Sequence, residues 1–173
     1  MNHARLVWRL AASFPLAVTC PAAGEVVSAT PAGFEVRHRV TVAAPAPRVW
    51  ATLIKPARWW NGAHSFSGDA KNLTLDPRRG GCFCEALPRG GVEHLRVVYA
   101  DAGKQLRLAG ALGPLQGDGV TGALTFTLTP EGDRTVIELR YVVGGYRSGG
   151  LQALAGPVDQ VLSEQLVRLS KAA

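Results

Sequence analysis

The chain has 173 residues, 47% of them hydrophobic, and a formal charge of +6 at pH 7. This length and hydrophobic content suit one domain with a single sizeable core. A positive charge can serve an anionic partner, but the arginines are scattered along the chain and no aromatic residues alternate with them. We therefore expect solvated surface charges and no nucleic-acid partner.

The first residues have the pattern of a secretory signal peptide. Arg5 and Arg9 precede a mostly apolar run at residues 10–19, and small residues follow it. Cleavage after Ala29 agrees best with this pattern, and Ala23 is a second candidate site. The apolar run is too short to remain as a membrane span.

Export is the expectation that follows from this leader. Residues 1–29 would be removed, residues 30–173 would form the mature domain, and the protein would work in the periplasm. Lipidation at Cys20 is a less favoured alternative, because the residues before it match the lipoprotein pattern poorly.

The mature domain is predicted to begin with a strand and two short helices. Apolar and polar residues alternate over residues 34–42, which is typical of a strand with one buried face. Prolines at its start and apolar residues at helical spacing predict a helix over residues 45–54. A further short helical turn over residues 57–62 carries Trp59 and Trp60.

Six further strands and a long helix complete the domain. Turn-forming glycine, proline and aspartate residues separate the strands by short connections, as in an antiparallel meander. The six strands are predicted at residues 73–75, 82–87, 93–100, 105–112, 122–129 and 135–143. An apolar stripe from Val158 to Leu169 then predicts a helix that covers the inner face of the sheet, with Pro157 at its start.

The order of these elements resembles that of the START-like superfamily, also called SRPBCC or helix-grip. The residues that carry the resemblance are Phe34-Glu35-Val36, Pro45 with Val49-Trp50, Trp59-Trp60, Asn72-Leu73 with Leu75-Asp76, Gly80-Gly81 with Phe83 and Glu85, and the helix from Val158. Within the superfamily the chain is similar to the branch of activators of the heat-shock-protein ATPase.

The resemblance implies an α+β helix-grip fold. In this fold a curved antiparallel sheet of about seven strands is gripped by a long C-terminal helix over its concave face, and two short helices follow the first strand. Relatives hold apolar molecules in a cavity between the sheet and the helix. The heat-shock-protein ATPase that the similar branch activates is cytosolic, so an exported protein would not contact it.

We therefore expect the protein to bind a small hydrophobic molecule, such as a lipid, a polyketide or an aromatic compound. Strand phase and helix face select the contact residues. These residues are His38, Trp60, Phe66, Phe83, Leu108, Phe126, Tyr141, Leu154 and Leu162. We expect no cofactor, and we favour a monomer.

Two other functions remain open. One is a cavity enzyme of the polyketide cyclase or aromatase type, in which His38 or Tyr141 would steer a cyclisation or dehydration. The other is a partner-binding module with a collapsed core. The spacing of the nucleophilic and acidic residues matches no catalytic motif, so no catalytic residue is predicted.

The remaining histidines are expected at the surface. His64 lies in a polar loop, where relatives often have the mouth of the cavity. His94 has the opposite strand phase to Val97 and Tyr99 and is predicted to face solvent. His38 lies in phase with the buried face of the first strand, where it contacts either a ligand or a neighbouring side chain.

The cysteines and one glycine-rich motif complete the candidates. Cys82 and Cys84 are two residues apart on one strand, near the upper limit of the separation that a disulfide accepts, so two thiols are favoured over a bridge. A C-x-C pair without a second pair predicts no metal site. Residues 117–122 match G-x-G-x-x-G, but a strand follows them, which indicates a hairpin loop instead of a dinucleotide site.

Overall fold

The computed structural model describes residues 23–173. Eight strands form one antiparallel sheet in the order β1-β2-β8-β7-β6-β5-β4-β3. The strands are β1 Ala23–Thr30, β2 Gly33–Val42, β3 Leu73–Leu75, β4 Cys82–Leu87, β5 Gly90–Asp101, β6 Gln105–Gly110, β7 Gly119–Glu131 and β8 Arg134–Tyr146. The pairings of β1 with β2, of β4 with β5 and of β5 with β6 each contain a register shift. Such bulges bend a sheet and increase its twist.

Within residues 23–173 two α-helices pack on this sheet, α1 at Ala46–Leu53 and α2 at Ala155–Ala172. Short 3₁₀ turns occupy Pro56–Arg58, Gly62–His64, Ala70–Asn72, Gly113–Gly117 and Gln152–Leu154. Helix α2 begins slightly before its predicted start, so Pro157 lies in its first turn, where a missing N–H costs no hydrogen bond.

The core lies between the sheet and helix α2. In β7 the side chains of Leu124, Phe126 and Leu128 are buried and alternate with threonines on the other face. From α2, Leu162, Leu166 and Leu169 are buried against them. This arrangement confirms the predicted α+β helix-grip fold. No helix within residues 23–173 is both long and apolar enough to cross a membrane.

Strand β1 was not predicted from the sequence. It pairs with β2 from Ala23 opposite Arg39 to Thr30 opposite Gly33. The side chains of residues 25–30 are all exposed, so these positions show no alternation of buried and exposed side chains. The predicted leader therefore overlaps the fold: its residues 1–22 lie outside the described part of the chain, and the rest form most of an edge strand.

The connection between β6 and β7 also differs from the prediction. Strand β6 ends at Gly110, a 3₁₀ turn follows at Gly113–Gly117, and β7 begins at Gly119. Most of the G-x-G-x-x-G motif is therefore strand and not a hairpin loop. Gly122 is required there because a Cβ would lie 2.7 Å from the ring of Tyr141.

Candidate ligand cavity

A cavity of about 410 Å³ opens beside the first half of helix α2. Four parts of the chain surround it: the segment from Trp60 to Phe66, His94 of β5, the loop between β6 and β7, and α2 with the turn before it. The lining residues are Trp60, Ala63, His64, Ser65, Phe66, His94, Leu112, Gly113, Pro114, Leu115, Leu154, Pro157, Val158, Val161 and Leu162. Most of these side chains are apolar.

Tyr141 holds the wall formed by the β6–β7 loop. Its ring is fully buried, and its hydroxyl accepts the backbone N–H of Leu112 at 3.1 Å and donates to the carbonyl of Gly110 at 3.4 Å. Burial raises the pKa of Tyr141 to about 12, so the hydroxyl keeps its proton at physiological pH. Tyr141 therefore positions the wall from behind and does not line the cavity.

The tryptophan pair divides between the core and the cavity. The indole N–H of Trp59 donates to the carbonyl of Leu53 at 3.2 Å, and its ring packs edge-on against Phe126. The indole N–H of Trp60 donates to the carbonyl of His64 at 3.0 Å, and its ring lines the cavity. Both indole N–H groups are thus satisfied by backbone carbonyls, as buried polar groups require.

Side chains of α2 tie the same segment to the helix. The backbone N–H of Asn61 donates to Oε1 of Gln165 at 2.7 Å, and its side-chain amide donates to Oε1 of Glu164 at 2.6 Å. Nε of Arg168 donates to the carbonyl of Trp59 at 2.8 Å. These bonds join two cavity walls that lie about a hundred residues apart in sequence.

His94 is buried, with 6% of its surface exposed, and it lines the cavity. The prediction that it faces solvent was wrong. In the pairing of β4 with β5, Phe83 lies opposite Leu95 and Cys84 lies opposite Glu93, so His94 is the extra residue of a β-bulge. A bulge breaks the two-residue alternation, so His94 and Leu95 both point inward.

Glu85 fixes the orientation of the His94 ring. Its Oε2 lies 2.9 Å from Nε2 of His94 and also accepts the backbone N–H of Phe66 at 3.0 Å, while Oε1 accepts the backbone N–H of Ser67. Burial raises the pKa of this carboxyl, but the hydrogen bonds from Ser67, Phe66 and His94 outweigh burial and lower the pKa to about 2. Glu85 is therefore ionised at physiological pH.

His64 forms a second histidine–carboxylate pair at the outer side of the cavity. Its Nε2 lies 3.1 Å from Oε2 of Glu164, and both side chains are more than a third exposed. The hydrogen bond from Asn61 to Glu164, followed by the contact with His64, lowers the pKa of Glu164. Such an exposed pair is screened by water and contributes little to stability.

The structure divides the predicted contact residues into three groups. Trp60, Phe66, Leu154 and Leu162 line the cavity. Phe83, Leu108 and Phe126 line a separate void of about 20 Å³, which is too small for a ligand larger than water. Tyr141 and His38 line neither space.

His38 lies behind α2, with 1% of its surface exposed. Its Nε2 is 3.0 Å from Oδ1 of Asp159, the fifth residue of the helix, and the two atoms face each other without an aligned hydrogen bond. Burial lowers the pKa of His38 more than Asp159 raises it. The side chain links β2 to α2, in agreement with the expectation of a contact with a neighbour.

Some of the lining residues were predictable and others were not. Val158 and Val161 share a helix face with Leu154 and Leu162, so helical spacing alone could have identified them. His94 required knowledge of the bulge, because sequence shows no mark of an extra residue within a strand.

Cys82 and Cys84 are joined by a disulfide, so the prediction of two thiols was wrong. The two Cα atoms lie 5.3 Å apart, within the range that a disulfide accepts. Both cysteines lie on the face of β4 opposite to Phe83 and Glu85. Glu93 is close to both sulfurs, but metals bind thiolates and not disulfide sulfurs.

No protein-family model and no curated protein sequence matches this chain. Solved structures do match it. The crystal structure of the Mll3558 protein from Rhizobium loti has a TM-score of 0.60 and 17% identity, and covers 80% of this chain and 96% of that one. Protein MLL2253 from Mesorhizobium loti has a TM-score of 0.55 and 17% identity, covering 80% and 95%.

The solution structure of CalU16 from Micromonospora echinospora has a TM-score of 0.54 and 18% identity, and covers 90% of this chain and 75% of that one. At these identities the likeness concerns the fold and carries no activity across. The chain therefore has the helix-grip fold, and these solved structures are similar to it in fold.

Proposed function

We propose that the protein binds one small hydrophobic molecule in the cavity beside helix α2. The observation that carries this proposal is the cavity itself, about 410 Å³ in volume and lined mainly by apolar side chains. Small-molecule sites in proteins are typically concave, apolar and of this size, with few polar groups.

The packing around the cavity supports a binding role. Leu115 and Leu162 line it and are almost fully buried, and the walls are held by backbone hydrogen bonds that Tyr141 and Gln165 accept. A cavity of this size with braced walls is preformed, so a ligand does not need to order them.

An order-of-magnitude estimate indicates moderate affinity. A ligand that buries roughly 300 Å² of apolar surface gains roughly 7 kcal/mol at about 25 cal/mol/Å². The loss of translational and rotational freedom offsets part of that gain, so dissociation constants in the micromolar range or weaker are expected for simple apolar compounds.

Phe66 marks the entrance. Its side chain is 55% exposed although it lines the cavity, and its backbone is held by Glu85. An exposed phenylalanine on the rim offers apolar surface to an arriving ligand.

The structure bears differently on the two alternative functions. The hypothesis of a cyclase-type enzyme requires His38 or Tyr141 in the cavity, and neither residue lines it. The partner-binding module needs no internal space, whereas a cavity is present here. The binding of a small molecule therefore has the stronger support.

Two further parts of the proposal concern origin and location. The motifs around the tryptophan pair favour common ancestry with the activators of the heat-shock-protein ATPase, and we propose no chaperone-activating role. The leader pattern favours export to the periplasm. Cleavage after Ala23 would keep all of β1 except its first residue, whereas cleavage after Ala29 would remove most of that strand.

Native mass spectrometry of the protein from its own periplasm tests the proposal. We expect an additional mass of a lipid-like or aromatic molecule that dissociates on denaturation. The same spectrum gives the mature N-terminus. Absence of an adduct, together with no thermal stabilisation by a panel of apolar ligands, would contradict the binding function.

A further inference from the structure

We propose that the ligand carries a weakly acidic hydroxyl, as phenols and enols do, and that this hydroxyl donates a hydrogen bond to Nδ1 of His94. The inference rests on the proposed function, because it names the chemical class of the molecule held in the same cavity. The reasons lie in how His94 is placed and in what already occupies its other nitrogen.

His94 is held as a rigid group of the cavity wall. The bulge in β5 turns it inward, and its ring packs against those of Phe66 and Phe83, with centroids 5.9 Å and 5.1 Å away. Its Nε2 is 2.9 Å from Glu85. A side chain fixed by packing and by a buried partner presents its free atom in one direction, as a binding group requires.

Glu85 determines which nitrogen of His94 carries the proton. The carboxylate already accepts backbone hydrogen bonds from Phe66 and Ser67, and an ionised carboxylate can only accept. Nε2 of His94 must therefore donate to it. In the neutral imidazole this leaves the lone pair on Nδ1, which becomes an acceptor.

Nδ1 of His94 makes no hydrogen bond within the described part of the chain, residues 23–173. Among the other polar side chains of the cavity, the hydroxyl of Ser65 donates to Gly62, the indole of Trp60 donates to a carbonyl, and His64 contacts Glu164 through Nε2. The ring of His94 is mostly buried and lines the cavity, so a ligand that supplies a donor gains a hydrogen bond there that is partly sheltered from water.

His64 is a weaker candidate for the same role. It is more than a third exposed, so water competes with a ligand for its ring. A hydrogen bond to His94 forms away from bulk water, where it discriminates more strongly between a ligand with a donor and one without.

Three neutral compounds with one ring system test the inference: pyrene, 1-hydroxypyrene and pyrene-1-carboxaldehyde. They offer no hydrogen-bonding group, a donor and an acceptor respectively. Fluorescence titration of the wild-type chain is expected to show about tenfold tighter binding of 1-hydroxypyrene than of pyrene, the effect of about one net hydrogen bond. The aldehyde is expected to bind no better than pyrene.

Two variants test whether the pair of His94 and Glu85 causes the preference for 1-hydroxypyrene over pyrene. In His94→Phe the two affinities should become equal while pyrene still binds, and His94→Leu serves if the phenylalanine variant does not fold. In Glu85→Gln the amide can donate to Nε2 and move the ring proton to Nδ1. The preference should then pass from the hydroxyl to the aldehyde, a reversal that a merely structural role of Glu85 would not produce.

The results that would overturn only this inference differ from those that would also overturn the proposed function. Equal binding of pyrene and 1-hydroxypyrene by the wild type, or a wild-type preference for the aldehyde, would overturn the inference and leave the binding function intact. Loss of the hydroxyl preference in His64→Phe but not in His94→Phe would also overturn it. Failure of all three compounds to bind would overturn the proposed function as well.

Discussion

Glu85 joins two parts of the cavity wall, because its carboxylate accepts hydrogen bonds from the segment at Phe66 and Ser67 and from His94 on β5. Its pKa falls from 4.5 to about 2 on folding, since these bonds outweigh burial. A carboxyl with a lowered pKa stabilises the fold fully above its unfolded pKa, and this contribution is lost as the pH falls through the folded pKa.

We therefore expect acid to destabilise the wild type more than Glu85→Gln. Between about pH 6 and about pH 3 the wild type should lose about 2 kcal/mol more of its free energy of unfolding than the variant, since only the wild type must protonate this carboxyl. Urea unfolding at both pH values measures the difference. Parallel losses in the two proteins would show that Glu85 is not the ionised acceptor described here.

Tyr141 gives a second test at this scale. Tyr141→Phe removes the acceptor of the Leu112 N–H and should lower the free energy of unfolding by about 1 to 2 kcal/mol. Tyr146→Phe is the matched control, because Tyr146 is 77% exposed and should change stability by less than about 0.5 kcal/mol. Equal effects of both substitutions in chemical denaturation would contradict the bracing role of Tyr141.

Residue positions were predictable where the strand alternation is unbroken. Phe83, Leu108 and Phe126 are buried as their phase indicates. His94 has the outward phase in sequence and the inward position in the structure, because one extra residue in β5 shifts the alternation. The two-residue alternation in the sequence therefore could not identify His94, the principal polar residue of the cavity, as a lining residue.

Helix α2 is the element on which the cavity depends most directly, because it supplies one wall and holds another. Gln165→Met keeps the side-chain size but leaves the N–H of Asn61 without its acceptor, and we expect a loss of about 1 to 3 kcal/mol in the free energy of unfolding. Gln160→Met makes the same change on the exposed face of α2 and should be nearly neutral. If the two variants unfold at the same urea concentration, the link is unimportant.

Strand β1 tests the extent of the domain. A chain that begins at Gly24 keeps this edge strand, whereas one that begins at Thr30 lacks nearly all of it and exposes the hydrogen-bonding edge of β2. We expect the shorter chain to melt about 5 °C lower, since β1 contributes backbone pairing and few buried side chains. Equal melting temperatures would show that β1 is dispensable and that either cleavage site is compatible with the fold.

Among the helices and strands, the sequence predicted those that have one buried face. The apolar stripe of α2 and the alternation in β7 and β8 predicted both the helix and the sheet. Strand β1 buries no side chain among residues 25–30, and its formation depends on pairing with β2, which is a tertiary contact. Periodicity therefore could not reveal it.

At the scale of the whole molecule, α2, the segment from Trp60 to Phe66, the β6–β7 loop and His94 of β5 close around the cavity but do not fill it. The resemblance of the element order to START-like proteins predicted a cavity between sheet and helix, and the structure puts Trp60, Phe66, Leu154 and Leu162 around a cavity beside α2 that is lined mainly by α2 and loops. Its outline depends on loop geometry, in particular the 3₁₀ turn Gly113–Gly117, which interrupts the passage from β6 to β7. Loop geometry of this kind does not follow from hydrophobic pattern.

The central claim is that this cavity is the binding site, and blocking it is the most direct test. Val161→Trp places a large ring into the cavity from α2, while Gln160→Trp places the same ring on the adjacent exposed position. In pyrene titrations monitored by fluorescence, we expect Val161→Trp to weaken binding at least about tenfold, because the added ring occupies the space of the ligand. Gln160→Trp should bind as the wild type does. Unchanged affinity in a folded Val161→Trp variant would contradict the claim.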